Sequence, residues 1–361
     1  MSDAKWPRRH FMLGAAALGL AGCAGLRERD IVTVNLAGPQ SPIATQQPED
    51  AGALLETAFD QARRMTVPVF IDSRGPFQFV VDTGANRSVV SAELAQKLAL
   101  EHSGTAPVHG IAGVEPANLY KVRRMRVGQA FSSGLELPGL PSAKLGADGI
   151  LGVDVLHNRR VTLDFTANRF EIGTSSKGGS IGRGHDTRLG EGGPQIVTIP
   201  ARYRFGQLVI VGAEVAEVPV TAFLDSGSQI SVGNLALRDA VLRQRPELAE
   251  RLVQVPLISA TGQVAHGELA LLPSLRLGAL KLQRMIAVFA DLHIFRLWEL
   301  QDRPAILVGI DVLRQFENVV LDFGRREVVF QAPPKGRPRP APPRAGSGSG
   351  VVRSSPGGPQ F

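Results

Sequence analysis

The sequence is poor in several features that define large classes of protein. Cys23 is its only cysteine, so an intramolecular disulfide is excluded and the fold cannot be a disulfide scaffold. The seven histidines lack the spacing of metal ligands, and no His-Glu-x-x-His motif or phosphate-binding loop is present. Aromatic residues are only 6% of the chain. We therefore expect no metal and no cofactor, and any chemistry must come from other side chains.

Glycine and proline are plentiful instead, with 40 and 25 residues. Residues of these types interrupt helices and form turns, so their number predicts short strands joined by many turns. Hydrophobic residues make up 43% of the chain and charged residues 20%, which is typical of a globular protein with a sizeable core. The composition therefore favours short strands over long helices.

The N-terminus has the pattern of an export signal. Basic residues precede an apolar run at 11–21, and Arg8 and Arg9 resemble a twin-arginine signal. Residues 20–23 read LAGC and resemble a bacterial lipobox, which implies that 1–22 is removed and that Cys23 is lipidated. The alternative is an ordinary signal with a chance cysteine. We expect an exported protein held by a lipid anchor in the bacterial cell envelope, facing the periplasm.

The charge of the chain is concentrated at its two ends. The formal net charge is +7, yet residues 331–361 carry five basic residues and no acidic one. Residues 1–22 add three basic residues and one acidic residue, so the chain between the ends is neutral. The high pI is therefore no sign of a nucleic-acid surface, and no nucleic-acid partner is expected. The tail, rich in Pro, Gly, Ser and Arg, is predicted to be disordered.

The middle of the chain contains an internal duplication. Residues 77–85 read FQFVVDTGA and residues 218–228 read VPVTAFLDSGS, so each half has an apolar strand running into Asp-Thr/Ser-Gly. A helical pattern follows in each half, at 91–98 with Ser91 as N-cap and at 234–241. Both halves close alike, with GILGVDVL at 149–156 and ILVGIDVL at 306–313. Several matched features in one order indicate two related halves.

The segments around the halves divide the chain further. We predict an N-terminal segment at 23–65 with a helix at 51–64, a first lobe at 66–173 and a Gly-rich linker at 174–195. The second lobe is predicted at 196–330. Because each half carries its own copy of every motif, one chain is expected to act as a monomer with two lobes related by a pseudo-twofold axis.

The repeated Asp-Thr/Ser-Gly turn suits a specific chemistry. Glycine permits a tight turn that exposes the Asp side chain at the end of its strand, and the hydroxyl can bond the backbone and lock the turn. Two such halves can bring Asp82 and Asp225 together. Two close carboxylates cannot easily both ionise, so the pair holds one proton and can act as general base and general acid at once.

These motifs resemble the aspartic peptidases, in particular the retropepsin-like bacterial kind in tandem. The resemblance implies the pepsin/retropepsin acid protease fold, an all-β fold of two barrel-like lobes with short helices. It implies that Asp82 and Asp225 are the catalytic pair of an endopeptidase that cleaves peptide or protein substrates. The residues implied to support the active-site loops are Thr83, Gly84, Ser226, Gly227 and Ser228. Turns at 110–113 and 260–262 are implied to be flaps that cover the substrate.

Other interpretations stay open beside this one. The competing function is a non-catalytic peptide-binding lipoprotein that keeps the fold, and a third is a regulatory peptidase with one envelope partner. Four further aspartates recur in both halves, and we interpret them as turn caps rather than catalytic residues: Asp154, Asp164, Asp311 and Asp322. His109 and His266 lie near the implied flaps and are interpreted as exposed loop histidines, and Trp298 as a packing residue.

Overall fold

The computed structural model describes residues 32–34, 64–167, 169–175, 195–259 and 261–333. The predicted signal, Cys23 and the tail beyond residue 333 lie outside these residues, as do nearly all of the helix predicted at 51–64 and most of the linker. The described part is mostly β-structure. None of its helices is long and apolar enough to cross a membrane.

The first half consists of short strands and three short helices. Its strands are β1 (Val32–Val34), β2 (Thr66–Ile71), β3 (Arg74–Val81), β4 (Val89–Ser91), β5 (His102–Gly110), β6 (Val114–Val127), β7 (Ala130–Leu140), β8 (Gly149–Leu151), β9 (Arg159–Asp164) and β10 (Arg169–Thr174). Its helices are α1 (Ala92–Lys97), α2 (Ser142–Leu145) and α3 (Val153–Leu156).

The second half repeats this succession, with a longer helix after its Asp-Ser-Gly motif. Its strands are β11 (Gln195–Arg204), β12 (Gln207–Val215), β13 (Val218–Leu224), β14 (Val232–Gly233), β15 (Val253–Ile258), β16 (Val264–Leu277), β17 (Leu280–Ala290), β18 (Ala305–Val308), β19 (Asn318–Asp322) and β20 (Glu327–Ala332). Its helices are α4 (Leu235–Gln244), a 3₁₀ helix (Pro246–Arg251), α5 (His293–Leu297) and α6 (Ile310–Leu313).

Each half closes into a six-stranded barrel with the same strand order. In the first lobe the order is β6-β2-β3-β8-β4-β7, and β7 pairs with β6 to close the ring. In the second lobe it is β16-β12-β13-β18-β14-β17, closed by the pairing of β17 with β16. In each ring the strand that leads to the Asp motif pairs in parallel with the strand of the closing motif. This correspondence confirms the predicted all-β fold of two related barrel-like lobes.

Local sequence explains the central strand and the helix of each lobe. The last three residues of β3 and of β13 are buried. Each of these strands has a paired neighbour on both sides in the ring, and the apolar runs in the sequence match that burial. Ser91 caps α1, its Oγ accepting a hydrogen bond from the Leu94 amide at 3.1 Å. Asn234 caps α4 in the same way, through the Leu237 amide at 2.9 Å. Both predicted helix starts are confirmed.

A shared sheet joins the two lobes away from the barrels. Its strands run in the order β10-β9-β19-β20-β11, so the end of the first half pairs with the end of the second. In the β9–β19 pairing Leu163 lies opposite Val319 and Val161 opposite Leu321, and all four side chains are fully buried. These apolar pairs fix the lobes against each other, with both Asp motifs facing the same junction.

Candidate active site

Asp82 and Asp225 follow directly on the central strands of their lobes. The Asp82 amide donates to the carbonyl of Leu151 in β8 at 3.0 Å, and the Asp225 amide donates to Val308 in β18 at 2.9 Å. The closing motif of each lobe therefore holds the aspartate of that lobe in place. Both side chains are completely buried.

The hydroxyl groups of the two motifs bond across the junction between the lobes. Thr83 Oγ1 donates to the Leu224 carbonyl at 2.9 Å and accepts from the Ser226 amide at 3.0 Å. Ser226 Oγ donates to the Val81 carbonyl at 2.9 Å and accepts from the Thr83 amide at 3.2 Å. Four buried hydrogen bonds thus connect the turns reciprocally, each with a net contribution of about 1 kcal/mol.

The glycines of the motifs show how close the two carboxyl groups lie. A Cβ built on Gly84 would be 2.5 Å from Asp225 Cγ and 2.6 and 2.7 Å from its two oxygens. A Cβ built on Gly227 would be 2.6 Å from both carboxyl oxygens of Asp82. Each turn therefore needs glycine because the aspartate of the other lobe packs against its α-carbon. The structure brings Asp82 and Asp225 together, as the sequence predicts.

Backbone amides hold one oxygen of each carboxyl group. Asp82 Oδ1 accepts from the Gly84 amide at 2.8 Å. Asp225 Oδ1 accepts from Gly227 at 3.1 Å and from Ser228 at 3.0 Å. The Ser228 hydroxyl turns away and donates to the Ile230 carbonyl at 2.7 Å, so Ser228 supports Asp225 through its backbone. Apart from the contact between the two carboxyl groups themselves, the two Oδ2 atoms accept no hydrogen bond from the donors of the described residues.

Burial and mutual proximity set the charge state of the pair. Burial raises the pKa of Asp82 to about 6, although the amides of its turn, the hydrogen bond with Asp225 and the charge of Arg64 oppose the rise. Burial, together with the negative charge of Asp82, raises the pKa of Asp225 well above its usual value. Of the two carboxyl groups, Asp225 therefore has the higher pKa and Asp82 the lower, so a proton shared by the pair resides on Asp225 and Asp82 ionises first.

The turn at 110–113 reaches from the first lobe onto the second. Ile111 is 1% exposed and packs in a cluster of the second lobe that contains Phe223 and Ile230, which flank Asp225 in sequence. His109 is half-buried and contacts His293, so its interpretation as an exposed loop residue is wrong. His266 is exposed, as expected, but it lies in β16 and not in a loop.

The corresponding turn of the second lobe meets the first turn. Gln263 Nε2 donates to the Val114 carbonyl at 3.2 Å, and Lys144 Nζ donates to the Thr261 carbonyl at 3.1 Å. Residue 260, the first of the three in this implied flap, lies outside the described residues. The two turns thus contact each other and both lobes, and in this arrangement both aspartates are fully buried.

Comparison with known proteins finds a family match within the first lobe. Residues 67–158 match the family model described as gag-polyprotein putative aspartyl protease. The first lobe is similar to an aspartyl protease. A solved structure, a retropepsin-like aspartic protease from Rickettsia conorii, matches at 16% identity and a TM-score of 0.28, covering 40% of this chain and 97% of that one. None of the curated proteins compared with the sequence matches it.

The family match covers the first lobe, and the second lobe repeats its strand order and contacts it reciprocally. Asp164 Oδ1 accepts from the amides of Thr166 and Ala167, and Asp322 Oδ1 accepts from the amide of Arg325, so both cap turns as expected. Trp298 is 2% exposed and stacks on Phe223 at 4.5 Å, which confirms a packing role.

Asp154 and Asp311 each bind a serine hydroxyl in the active-site loop of their own lobe. Asp154 Oδ1 accepts from Ser88 Oγ at 2.6 Å, and Ser88 Oγ accepts from the Gly152 amide at 3.0 Å. In the second lobe Ser231 Oγ donates to Asp311 Oδ1 at 2.9 Å and accepts from the amide of the matching glycine. Sequence reasoning missed both serines. Their signal is their position, six residues after each motif aspartate.

Two buried polar residues beside the aspartates were also missed. Gln207, fully buried in the second lobe, donates from Nε2 to the Gly84 carbonyl in the first. Arg64 precedes β2, and its charge acts on Asp82. No group of three metal-ligating side chains occurs among the residues that the structure describes.

Proposed function

We propose that the protein is an aspartic endopeptidase whose catalytic residues are Asp82 and Asp225. The observation that carries the proposal is the pair of fully buried carboxyl groups, each packed against the glycine of the other lobe and each with a raised pKa. Burying two acids at one point lowers the stability of the fold, so a site that contains such a pair is a candidate for function. Strongly perturbed pKa values are also typical of functional sites.

The arrangement supports hydrolysis without a covalent intermediate. Ionised Asp82 takes a proton from a water molecule as the water oxygen bonds to the carbonyl carbon of the peptide. Asp225 gives its proton to the carbonyl oxygen, forming a tetrahedral diol. Collapse of the diol breaks the C–N bond, the amine leaves with one proton, and the second returns to the pair. Each carboxyl group thus serves once as acid and once as base.

The closed turns define how substrate must enter. Both aspartates are fully buried, and Ile111 of the first turn packs against Phe223 and Ile230 on either side of Asp225, so the turn has to move before a peptide can reach the junction. An extended peptide lying between the two lobes is the substrate class that this geometry fits, since both lobes would contact its two sides.

The test is hydrolysis of a library of unfolded protein and peptide substrates across pH 3.5–8. Asp82→Asn and Asp225→Asn should each lower kcat by at least about 100-fold, because general acid–base catalysis contributes about 10²–10⁴-fold. Asp164→Asn, the same substitution at an aspartate that caps a turn in the shared sheet, is the matched control and should keep wild-type activity. Full activity in either motif variant would overturn the mechanism.

The second candidate is a non-catalytic peptide-binding protein with the same fold. Peptide binding does not require two carboxyl groups that share a proton, so the retained pair favours the enzyme. A peptidase dedicated to one envelope partner would be inactive on the library. Proteomic comparison of wild-type and Asp82→Asn cells separates these cases, because only a peptidase leaves substrates that accumulate uncut in the variant.

We further propose that the enzyme is anchored in the cell envelope through a lipid on Cys23, facing the periplasm. This rests on the LAGC sequence at 20–23 and the preceding signal pattern. Cys23→Ser should move the protein from the membrane fraction to the soluble fraction, and wild type that is already soluble would contradict the anchor.

A further inference from the structure

A histidine pair connects the first lobe to the second beside the Ile111 turn. His109 is near the end of β5, and His293 begins α5 of the other lobe. His109 Nδ1 lies 2.8 Å from His293 Nε2, and the rings stack with centroids 5.1 Å apart and planes at 15°. This is hydrogen-bond distance between two ring nitrogens, so the pair forms a specific contact between the lobes.

The surrounding contacts make the histidine pair part of one joint. The Ile294 amide, one residue after His293, donates to the Ile111 carbonyl, two residues after His109, at 3.4 Å. The Ile111 side chain is buried in the second lobe, and its removal from water stabilises the closed position of the turn. Opening this turn therefore requires separation of the two histidines.

The charged groups of the described residues around the histidine pair form ion pairs with one another. On α5, Arg296 faces His293 and is itself paired with Asp291. On β6, which pairs with β5, Glu115 is held by Lys144 at 2.7 Å. On the other side of β5, Thr33 of β1 lies opposite His109, and the described residues of β1 carry no charge. Among the described residues, the charges that shift the pKa of the two rings are positive, from His293 on His109 and from Arg296 on His293, and no carboxylate acts on either ring.

Proton counting decides when this contact can form. A hydrogen bond between two ring nitrogens needs one N–H donor and one nitrogen without a proton. The pair can satisfy this when both rings are neutral or when it carries one extra proton. With two extra protons, an N–H on each ring would point at the other, and the two positive charges would repel each other at 2.8 Å.

We propose that His109 and His293 are positioning residues of the peptidase site, which hold the Ile111 turn closed until a second proton enters the pair and releases it. We call this histidine pair the latch. Its role in catalysis rests on the proposed function. The latch acts on substrate entry, because the buried aspartates become accessible only when the turns separate.

The direction of the pH effect follows from the environment of the rings. Burial lowers the pKa of both histidines, and neighbouring positive charge, from His293 on His109 and from Arg296 on His293, adds to the effect. A histidine whose pKa is lower in the closed form stabilises closure above its open-form pKa of about 6.5, and loses that stabilisation as pH falls. Acid therefore opens the turn.

The test measures the position of the turn without relying on activity. The full-length chain with Cys23→Ser and Asp82→Asn receives spin labels at Val114→Cys on the first lobe and Gln301→Cys on the second, both exposed positions. Double electron–electron resonance at pH 7.5 and at pH 4.5 then gives the distance between the two labels. We expect a short distance at pH 7.5 and a shift to longer distances at pH 4.5.

The pH-dependent shift should disappear in His109→Asn and in His293→Asn, and persist in His266→Asn, the control for an exposed histidine on the second lobe. Circular dichroism confirms that each variant is folded. A distance that does not respond to pH in the parent protein, or a response that survives in both latch variants, would overturn the proposal. If the shift occurs but the protein with Asp82 cleaves nothing, the peptidase assignment fails while the latch stands.

In the enzyme with Asp82, the latch variants should lower KM at pH 7 more than they change kcat, because they remove a barrier to entry rather than a reacting group. A loss of kcat with unchanged KM would contradict a role in entry. His266→Asn should match the wild type in both constants.

Discussion

Adding a methyl group at Gly84 or Gly227 tests directly how closely the two halves approach. In Gly84→Ala the new Cβ would lie 2.5–2.7 Å from the carboxyl atoms of Asp225, whereas ordinary van der Waals contact begins near 3.4 Å. The carboxyl group or the loop must therefore move by nearly 1 Å. Asp225 has little room to retreat, because it is fully buried and bound by two backbone amides.

This displacement should impair both catalysis and stability. A misplacement of about 1 Å in a catalytic group costs roughly 10²-fold in rate, so kcat/KM should fall by about that factor in Gly84→Ala and in Gly227→Ala. Overpacking of a buried site costs about 1–3 kcal/mol, which should appear as a lower free energy of unfolding in urea. The effects should be similar in both variants, because each glycine faces the aspartate of the other lobe.

The matched control is Gly173→Ala in β10, where an added Cβ has no atom within 4 Å. It should leave kcat/KM and the free energy of unfolding near wild type. An Ala variant at Gly84 or Gly227 that keeps wild-type stability would refute the close packing of the two halves, whatever its activity. Normal stability in that variant together with normal kcat/KM would also remove Asp82 and Asp225 from the reaction.

Two further predictions concern the charge of the pair and the size of the active unit. Asp82→Asn should stabilise the protein at pH 7.5 by on the order of 3 kcal/mol, because a pKa raised from 3.8 to about 6 gives stability that is full below pH 3.8 and lost as pH rises through 6. The gain should shrink towards pH 4, and thermal unfolding that shows Asp82→Asn less stable than wild type at both pH values would contradict it. One chain supplies both aspartates, so the protein should have the mass of a monomer in solution and its specific activity should not change on dilution. Specific activity that falls on dilution as dimers dissociate would exclude a monomeric active unit.

The sequence predicted those parts of the site that depend on local signals repeated in both halves. The Asp-Thr/Ser-Gly turns, the caps Ser91 and Asn234 and the closing motifs each combine a residue type with a position, so the duplication made them recognisable. The histidine latch was not predictable in this way. His109 and His293 are far apart in sequence, and only the packing of the Ile111 turn on the second lobe brings them together.

The shared sheet was missed for a similar reason. The pattern of 161–165 and 319–323 predicts a strand in each half, yet nothing in either strand says that it pairs with the other. Ser88 and Ser231 carried a usable signal in their equal distance from the motif aspartates. Equal spacing of a small polar residue is weak evidence by itself, and its meaning appears only when the glycine and aspartate of the closing motif reach the same hydroxyl.

The differences between the halves also argue that they work as a pair within one chain. Thr66 lies opposite Val80 and Val209 opposite Phe223, so Arg64 and Gln207, each two residues before these pairs, occupy equivalent places in the two lobes. Arg64 places a positive charge near Asp82, and Gln207 binds the carbonyl of Gly84 in the same turn.

Both of these unlike residues therefore act on the Asp82 side of the pair, where a negative charge is stabilised and the turn is held from the opposite lobe. A dimer of two identical lobes would place the same residue at both positions and lose this distinction. The asymmetry thus favours one chain in which Asp82 is the base and Asp225 carries the proton.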